Sequence, residues 1–297
     1  MLCKSPFVRD PTGKVFKASL VSGNRDMAIA GIPFPCGQCL PCRINKRRLW
    51  THRLMLESYM HGDSCFVTLT YAEEYLPHGG TLVKRDLQLF LKRLRKSVSQ
   101  RKIRYYACGE YGSKSSRPHY HAIVYGLSLL DGEKVAQCWP FGIVHVGECN
   151  THTIQYVAGY VTKKFVRKDD DIRIKEFSTM SRKPGLGFGA LEKLITLIKD
   201  KRYAHLFEGS KAIPDGLRHG SSFMPFDRYI KDKLHLALEV DSDSLEFIQE
   251  MHRKYLQAFH SDKYTSDYLA AFLMDESYGR NVQIERRFQI FNKRETI

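Results

Sequence analysis

The stretch Arg117-Pro118-His119-Tyr120-His121-Ala122-Ile123-Val124-Tyr125-Gly126 constrains this chain more than any other. Alternate side chains of a β-strand share a face. His119 and His121 therefore point the same way, about 7 Å apart along the strand, while Tyr120 points into the layer behind. Ile123 and Val124 carry the strand inward, and Gly126 ends it. Two imidazoles on one face can hold one metal ion when a third ligand arrives. The preceding strand, residues 103–110, offers Glu110; Glu148 is the second candidate.

Tyr156 and Tyr160 follow, spaced so that a helix would stack one above the other. Residues 154–160 also alternate like a strand, and Gly159 inside a helix costs about 1 kcal/mol relative to Ala. Helix is the expectation, because both phenols must reach one metal. Tyrosine is a poor nucleophile at its free pKa of about 10, so it needs a nearby cation. Lys163 and Lys164 lie three and four residues past Tyr160. They are nearly equal candidates, with Lys164 extending the 156–160 row.

Formal charge is +15, from 47 basic and 32 acidic residues, with a pI near 9.4. Such a balance is the footprint of a polyanion binder, with an acidic protein partner as the alternative. The 43% apolar content can bury a core. No run of 18 apolar residues exists, so no membrane span is expected, and residues 1–16 lack a secretory pattern. Eight cysteines in a chain of cytosolic character argue for reduced thiols or metal rather than disulfides. Cys36, Cys39 and Cys42 stand at C-x-x-C-x-x-C spacing; with Cys3 they could supply four thiolates to a structural Zn²⁺. Reduced cysteines without metal are the alternative.

The pattern divides into residues 1–62, a Cys-rich arm and basic helix; 63–167, the core; 168–226, a loop-rich segment; and 227–297, helical. The arm reads as extended with turns. A helix over 43–61 carries Arg43, Lys46, Arg47, Arg48 and Arg53, which could track phosphates. From residue 64 the order reads β-α-β-β-α-β-α. It ends in the tyrosine helix, which Asn150 or Thr151 could cap. Leu87, Phe90, Leu91, Leu94 and Val98 make a helical stripe. The expected class is α+β: an antiparallel sheet with helices on one face and the histidines on the other, open face. Residues 176–187 and 209–225 read as loops. No Gly-x-x-x-x-Gly-Lys-Ser/Thr loop occurs, so no helicase motor is built in.

Taken as an ordered set, Thr-Leu-Thr-Tyr (68–71), Gly-Glu-Tyr-Gly (109–112), Arg-Pro-His-Tyr-His (117–121) and the paired tyrosines followed by lysines resemble the HUH endonucleases. Those are rolling-circle replication initiators and relaxases. The set is closer still to replication initiators of the microviruses, especially the gokushovirus branch. The cysteine knuckle and Met180-Ser181-Arg182-Lys183-Pro184-Gly185 are similar to segments of that branch. The resemblance covers most of the first 190 residues.

It implies a metal-dependent endonuclease that nicks and rejoins single-stranded origin DNA through a 5′-phosphotyrosine, leaving a 3′-OH primer. Mg²⁺ or Mn²⁺ would sit on His119, His121 and Glu110. Tyr156 and Tyr160 would be the nucleophiles, assisted by Lys163 or Lys164, and Gly159 could let DNA come close. Arg43, Arg47, Arg48, Arg117, Arg182 and Lys183 are the DNA-contact candidates. A host polymerase and helicase would be partners, in the bacterial cytoplasm. The rivals are a plasmid or transposon HUH enzyme, a non-enzymatic zinc-containing nucleic-acid binder, and a metallohydrolase using water.

Overall fold

The computed structural model describes residues 3, 7–9, 14–17, 32–112, 115–163, 172–208 and 213–240. The chain divides into two compact units, Arg47–Val240 and Met1–Lys46 with Asp241–Ile297. In the smaller unit the described strands are β1 (Phe7–Arg9), β2 (Val15–Lys17) and β3 (Ile32–Phe34), all antiparallel in the order β2-β1-β3. The arm is thus partly sheet rather than irregular. Helix α1 (Leu40–Ser58) starts three residues earlier than its charge pattern suggested.

The larger unit is built on β4 (Ser64–Tyr71), α2 (Lys84–Ser97), β5 (Arg104–Tyr111), β6 (Pro118–Tyr125), α3 (Gly132–Gln137), β7 (Gly142–Glu148) and α4 (Thr151–Lys163). This is the expected β-α-β-β-α-β-α order in an α+β fold. An edge strand, β8 (Phe177–Met180), completes a five-stranded antiparallel sheet ordered β7-β4-β6-β5-β8. Residues 176–187 are therefore not all loop. Four residues with aromatic and β-branched side chains take the bare edge of β5, pairing Phe177 with Gly109 and Met180 with Tyr106.

One face of the sheet carries the α2 stripe. Leu87, Phe90, Leu91 and Leu94 pack on Val67, Leu69, Tyr120, Ala122 and Val124 with Val135 and Trp139. Polar atoms in this core are satisfied. The Tyr71 hydroxyl donates to Asp86 (2.7 Å), and Trp139 Nε1 donates to the Thr70 carbonyl (3.2 Å). Gly126 ends β6 with φ +88°, where a β-carbon would sit 3.1 Å from the Lys102 carbonyl.

The other face is not open throughout. Leu54 and Met55 of α1 and Ile154, Val157, Ala158 and Tyr160 of α4 pack on Tyr106, Cys108, Ile123 and Tyr125, with Leu186 beside them. Helices on one face describes α2 and α3 only. The reason is compositional: Tyr106, Ile123 and Tyr125 are too apolar to leave in water.

A third cluster joins Leu56 to α5 (Leu191–Lys199) and α6 (Arg228–Leu238) through Leu191, Leu194, Ile230 and Leu234. The stretch expected as a loop at 209–225 instead holds most of a small sheet. Its strands are β9 (Phe207–Glu208), β10 (Gly216–His219) and β11 (Ser222–Pro225), with Gly220 at φ +60° in the β10–β11 turn. The expectation of helices over 227–297 is met at α6; residues 241–297 lie outside the described residues.

Candidate active site and metal centre

Strand register builds the site. On the histidine face Thr70, His119 and Glu110 are direct cross-strand partners, and one row inward Thr68, His121 and Cys108 are. Each imidazole has its Nδ1 held by a threonine of β4: Thr68 Oγ1 to His121 at 3.0 Å and Thr70 Oγ1 to His119 at 3.2 Å. Fixing Nδ1 orients the ring and leaves Nε2 for other work. His121 Nε2 lies 3.0 Å from Glu110 Oε1, and both side chains are buried. His119 is half-buried, and burial followed by the neighbouring His121 pulls its pKa below the usual imidazole value. Its Nε2 lies against Gly112, 3.0 Å from where a β-carbon would be.

Helix α4 brings both tyrosines to this row. Its first turn is capped by Asn150, whose Oδ1 accepts from the His152 and Thr153 amides at 3.0 Å each. Tyr160 stacks flat on His121, with centroids 5.2 Å apart and planes 3° apart. Tyr156 meets the same imidazole edge-on at 5.3 Å and Tyr160 at 4.9 Å. Phe66, one position before Val67 on β4, lies flat against His121 at 5.8 Å. The two phenols differ sharply in access. Tyr160 is 2% exposed and Tyr156 42%. Burial, and then the Glu110 carboxylate, push the Tyr160 hydroxyl well above the ordinary phenol value.

The remaining candidates fall into three groups. Lys163 ends α4, and Lys164 lies outside the described residues. Glu148 pairs with Cys65, which belongs to the opposite core, so it faces away from the histidines and cannot be their third ligand. Of the basic residues, Arg182 and Lys183 are exposed, while Arg48 donates to the Phe223 carbonyl at 3.0 Å. Arg117 is tied to Glu73 and to the Tyr71 carbonyl. Arg53 is spent inside the fold on Leu186 and Asp227. The neighbour of Gly159 is Arg47, whose Cζ and Nε lie 3.5 Å from the position of a β-carbon there.

Thr68, Thr70 and Phe66 are site residues that sequence reasoning passed over. Their signal was present, since alternation along Thr-Leu-Thr-Tyr puts both threonines on one face.

In the smaller unit, Cys3, Cys36, Cys39 and Cys42 can hold a metal ion, their sulfurs all within 4.8 Å of one another. Among the described residues no other group of three or more His, Cys, Asp or Glu side chains meets that spacing. Cys36 to Cys42 and Cys39 to Cys3 are each 3.9 Å, against about 3.8 Å for the edge of a tetrahedron with 2.3 Å metal–sulfur bonds. Burial alone would raise the Cys36 thiol. The Cys39 and Gln38 amides and the neighbouring thiols instead hold it down at about 6. Burial and the Cys39 thiol push Cys42 up.

Residues 64–165 match the family model for the replication-associated protein ORF2, and that span holds every candidate residue of the sheet-face site. The chain is a relative of phage replication-associated proteins. It is 29% identical to Replication-associated protein VP4 of Bdellovibrio phage phiMH2K over 244 residues, 72% of this chain and 77% of the relative. It is 28% identical to Replication-associated protein ORF4 of Chlamydia phage 1 over 248 residues, 75% of this chain and 59% of the relative. With Replication-associated protein ORF2 of Spiroplasma virus 4 the identity is 34% over 158 residues, 46% of this chain and 49% of the relative. The resemblance to microvirus replication initiators is borne out by these three. The chain spans about half to three-fifths of the length of the last two. No solved structure matches. No helix among the described residues is long and apolar enough to cross a membrane.

Proposed function

We propose that this chain initiates rolling-circle DNA replication by nicking and rejoining a single DNA strand at the origin, with tyrosine as nucleophile. The observation that carries the reading is the packing of Tyr156 and Tyr160 on His121, whose Nε2 is already engaged by Glu110. A phenol oxygen attacks the scissile phosphorus and forms a P–O bond. The bond from phosphorus to the 3′ oxygen breaks, and the phenolic proton ends on that oxygen. The products are a 5′-phosphotyrosine and a free 3′-OH, and the ester keeps the bond energy for rejoining. Two nitrogens and a carboxylate on one face suit Mg²⁺ or Mn²⁺, with the threonines fixing the rings. Such an ion, held by His119, His121 and Glu110, would offset charge on the nonbridging phosphate oxygens.

Tyr156 acts first in this reading, because its ring is accessible and that of Tyr160 is covered. Tyr160 then serves the next origin copy while the first link persists. Lys163 and Lys164 offset the phenolate charge, and Arg43, Arg47, Arg48, Arg182 and Lys183 contact the strand. The ion at the four cysteines is Zn²⁺ in a structural role. Polymerase and helicase are supplied by the bacterial host, in whose cytoplasm the protein acts.

Incubation with labelled single-stranded circular DNA and Mn²⁺, followed by a denaturing gel, tests the assignment. Wild-type protein should carry labelled DNA through denaturation. His121→Ala should lose the adduct by about 100-fold or more while keeping DNA binding and its melting temperature. An undiminished adduct in His121→Ala would overturn the metal role of this face.

A further inference from the structure

Residues 181–188 leave the end of β8 and return toward α5, and side chains from four other elements take hold of their backbone. The Ser181 amide donates to the Tyr105 carbonyl at 3.0 Å, and Ser181 Oγ accepts from the Tyr105 amide at 3.1 Å. Arg104 donates to the Pro184 carbonyl at 2.8 Å. The Tyr229 hydroxyl accepts from the Gly185 amide at 3.0 Å. Arg53 donates twice to the Leu186 carbonyl, at 3.1 and 3.0 Å. Glu57 accepts from the Gly187 amide at 2.7 Å.

The clamping residues are themselves held. Glu57 pairs with Arg104, and Arg53 pairs with Asp227 while lying over the rings of Trp50 and Tyr229 at 4.6 Å each. Withdrawing two guanidinium–carboxylate pairs from water is expensive, and such pairs are weak contributors to net stability. What they give here is one fixed backbone path. At its outer edge that path presents Arg182 and Lys183 side by side, both exposed.

We infer that this clamped loop is a preorganised phosphate-binding element for single-stranded DNA, with Arg53, Glu57, Arg104 and Tyr229 as positioning residues. The inference rests on the proposed DNA substrate and deepens it. Ser181 sits opposite Tyr105, three residues along β5 from Cys108, the partner of His121. That is about 10 Å of strand. The two cations therefore hold the strand one to three nucleotides from the scissile phosphate and set its register. A rigid loop loses less freedom on binding than a mobile one.

The test is anisotropy titration of a labelled single-stranded oligonucleotide with the full chain, without divalent metal, at several salt concentrations. Arg182→Gln/Lys183→Gln should melt like wild type and lower the slope of log affinity against log salt by about 1.4, two contacts at about 0.7 each. Its affinity deficit at 50 mM salt should then be about sevenfold larger than at 200 mM. Tyr229→Phe keeps the ring over Arg53 and removes the oxygen that accepts from Gly185. It should weaken binding about threefold with the salt slope unchanged. An unchanged slope in the double variant overturns the phosphate contacts. Wild-type affinity in Tyr229→Phe overturns the clamp. Failure of the wild-type protein to bind at all would instead remove the proposed function.

Discussion

Around His121 order comes from strand register. Five paired strands, two threonines and a stacked tyrosine fix the imidazole. Around Cys36 the described scaffold is three strands of three residues each, and the sulfurs themselves are the nearest ordered neighbours. Such short strands bury little apolar surface, and pairs of this size are marginal in water on their own. The difference teaches where each region's stability resides: in a hydrophobic core for the first, and in bound metal for the second.

Metal removal should therefore separate them. Chelation, or Cys39→Ser, should release about one zinc. Amide protection in β1–β3 should vanish, since structural zinc is worth of order 10 kcal/mol to its own fold. Protection in β4–β6 should persist. Equal loss in both regions, or no zinc in the wild-type protein, would break the contrast.

Within the sheet-face site the two tyrosines offer a finer division. Tyr156→Phe should reduce the first covalent adduct by about 100-fold or more in single turnover. Tyr160→Phe should leave that adduct within about threefold and instead impair transfer to a second origin copy. The reverse order would mean that the buried phenol becomes accessible before chemistry.

The β-α-β-β-α-β-α core and the tyrosine helix were legible because each rests on local signals. The 87–94 stripe, the His-Tyr-His alternation and the Asn150 cap are examples. What escaped depends on distant partners. β8 is four residues between a charged run and a glycine-rich turn, and only the bare edge of β5 makes it a strand. Arg53 and Glu57 look like the solvated face of a basic helix, and nothing local says that Asp227, Arg104 and the 184–187 backbone will surround them. The exposure of Tyr156 against the burial of Tyr160 is likewise tertiary, set by α1 and α4 meeting over Tyr106 and Ile123.

A smaller effect concerns the ligand set itself. Glu110→Gln keeps the shape of the side chain and removes the charge beside His121. Mn²⁺ affinity, followed by calorimetry, should fall about 10- to 100-fold with the four-cysteine site unaffected. An unaltered affinity would remove Glu110 from the ligand set.

The smallest effect is on pH. His52 Nδ1 donates to the Pro225 carbonyl (3.0 Å), and its Nε2 meets His219 Nε2 at 3.1 Å, joining α1 to the β10–β11 hairpin. Burial, partly offset by the Pro225 carbonyl and reinforced by His219, lowers its pKa from 6.5 to about 4. The folded state therefore resists a proton that the unfolded chain accepts. The His52 contribution is fully present above about pH 6.5 and declines until about pH 4, by at most about 3 kcal/mol. Melting temperature should fall over that window, and less steeply in His52→Gln. An equal slope in the variant would place the titration elsewhere.

The central claim is that the phenols packed on His121 are the nucleophiles. Mass spectrometry of the protein after incubation with single-stranded circular DNA, Mn²⁺ and then nuclease tests it most directly. The account predicts a nucleotide on the tryptic peptide that ends at Lys163 and contains both tyrosines, with fragmentation placing it on Tyr156 in the first turnover. A cut strand with that peptide unmodified, or a nucleotide carried by any other residue, would contradict it.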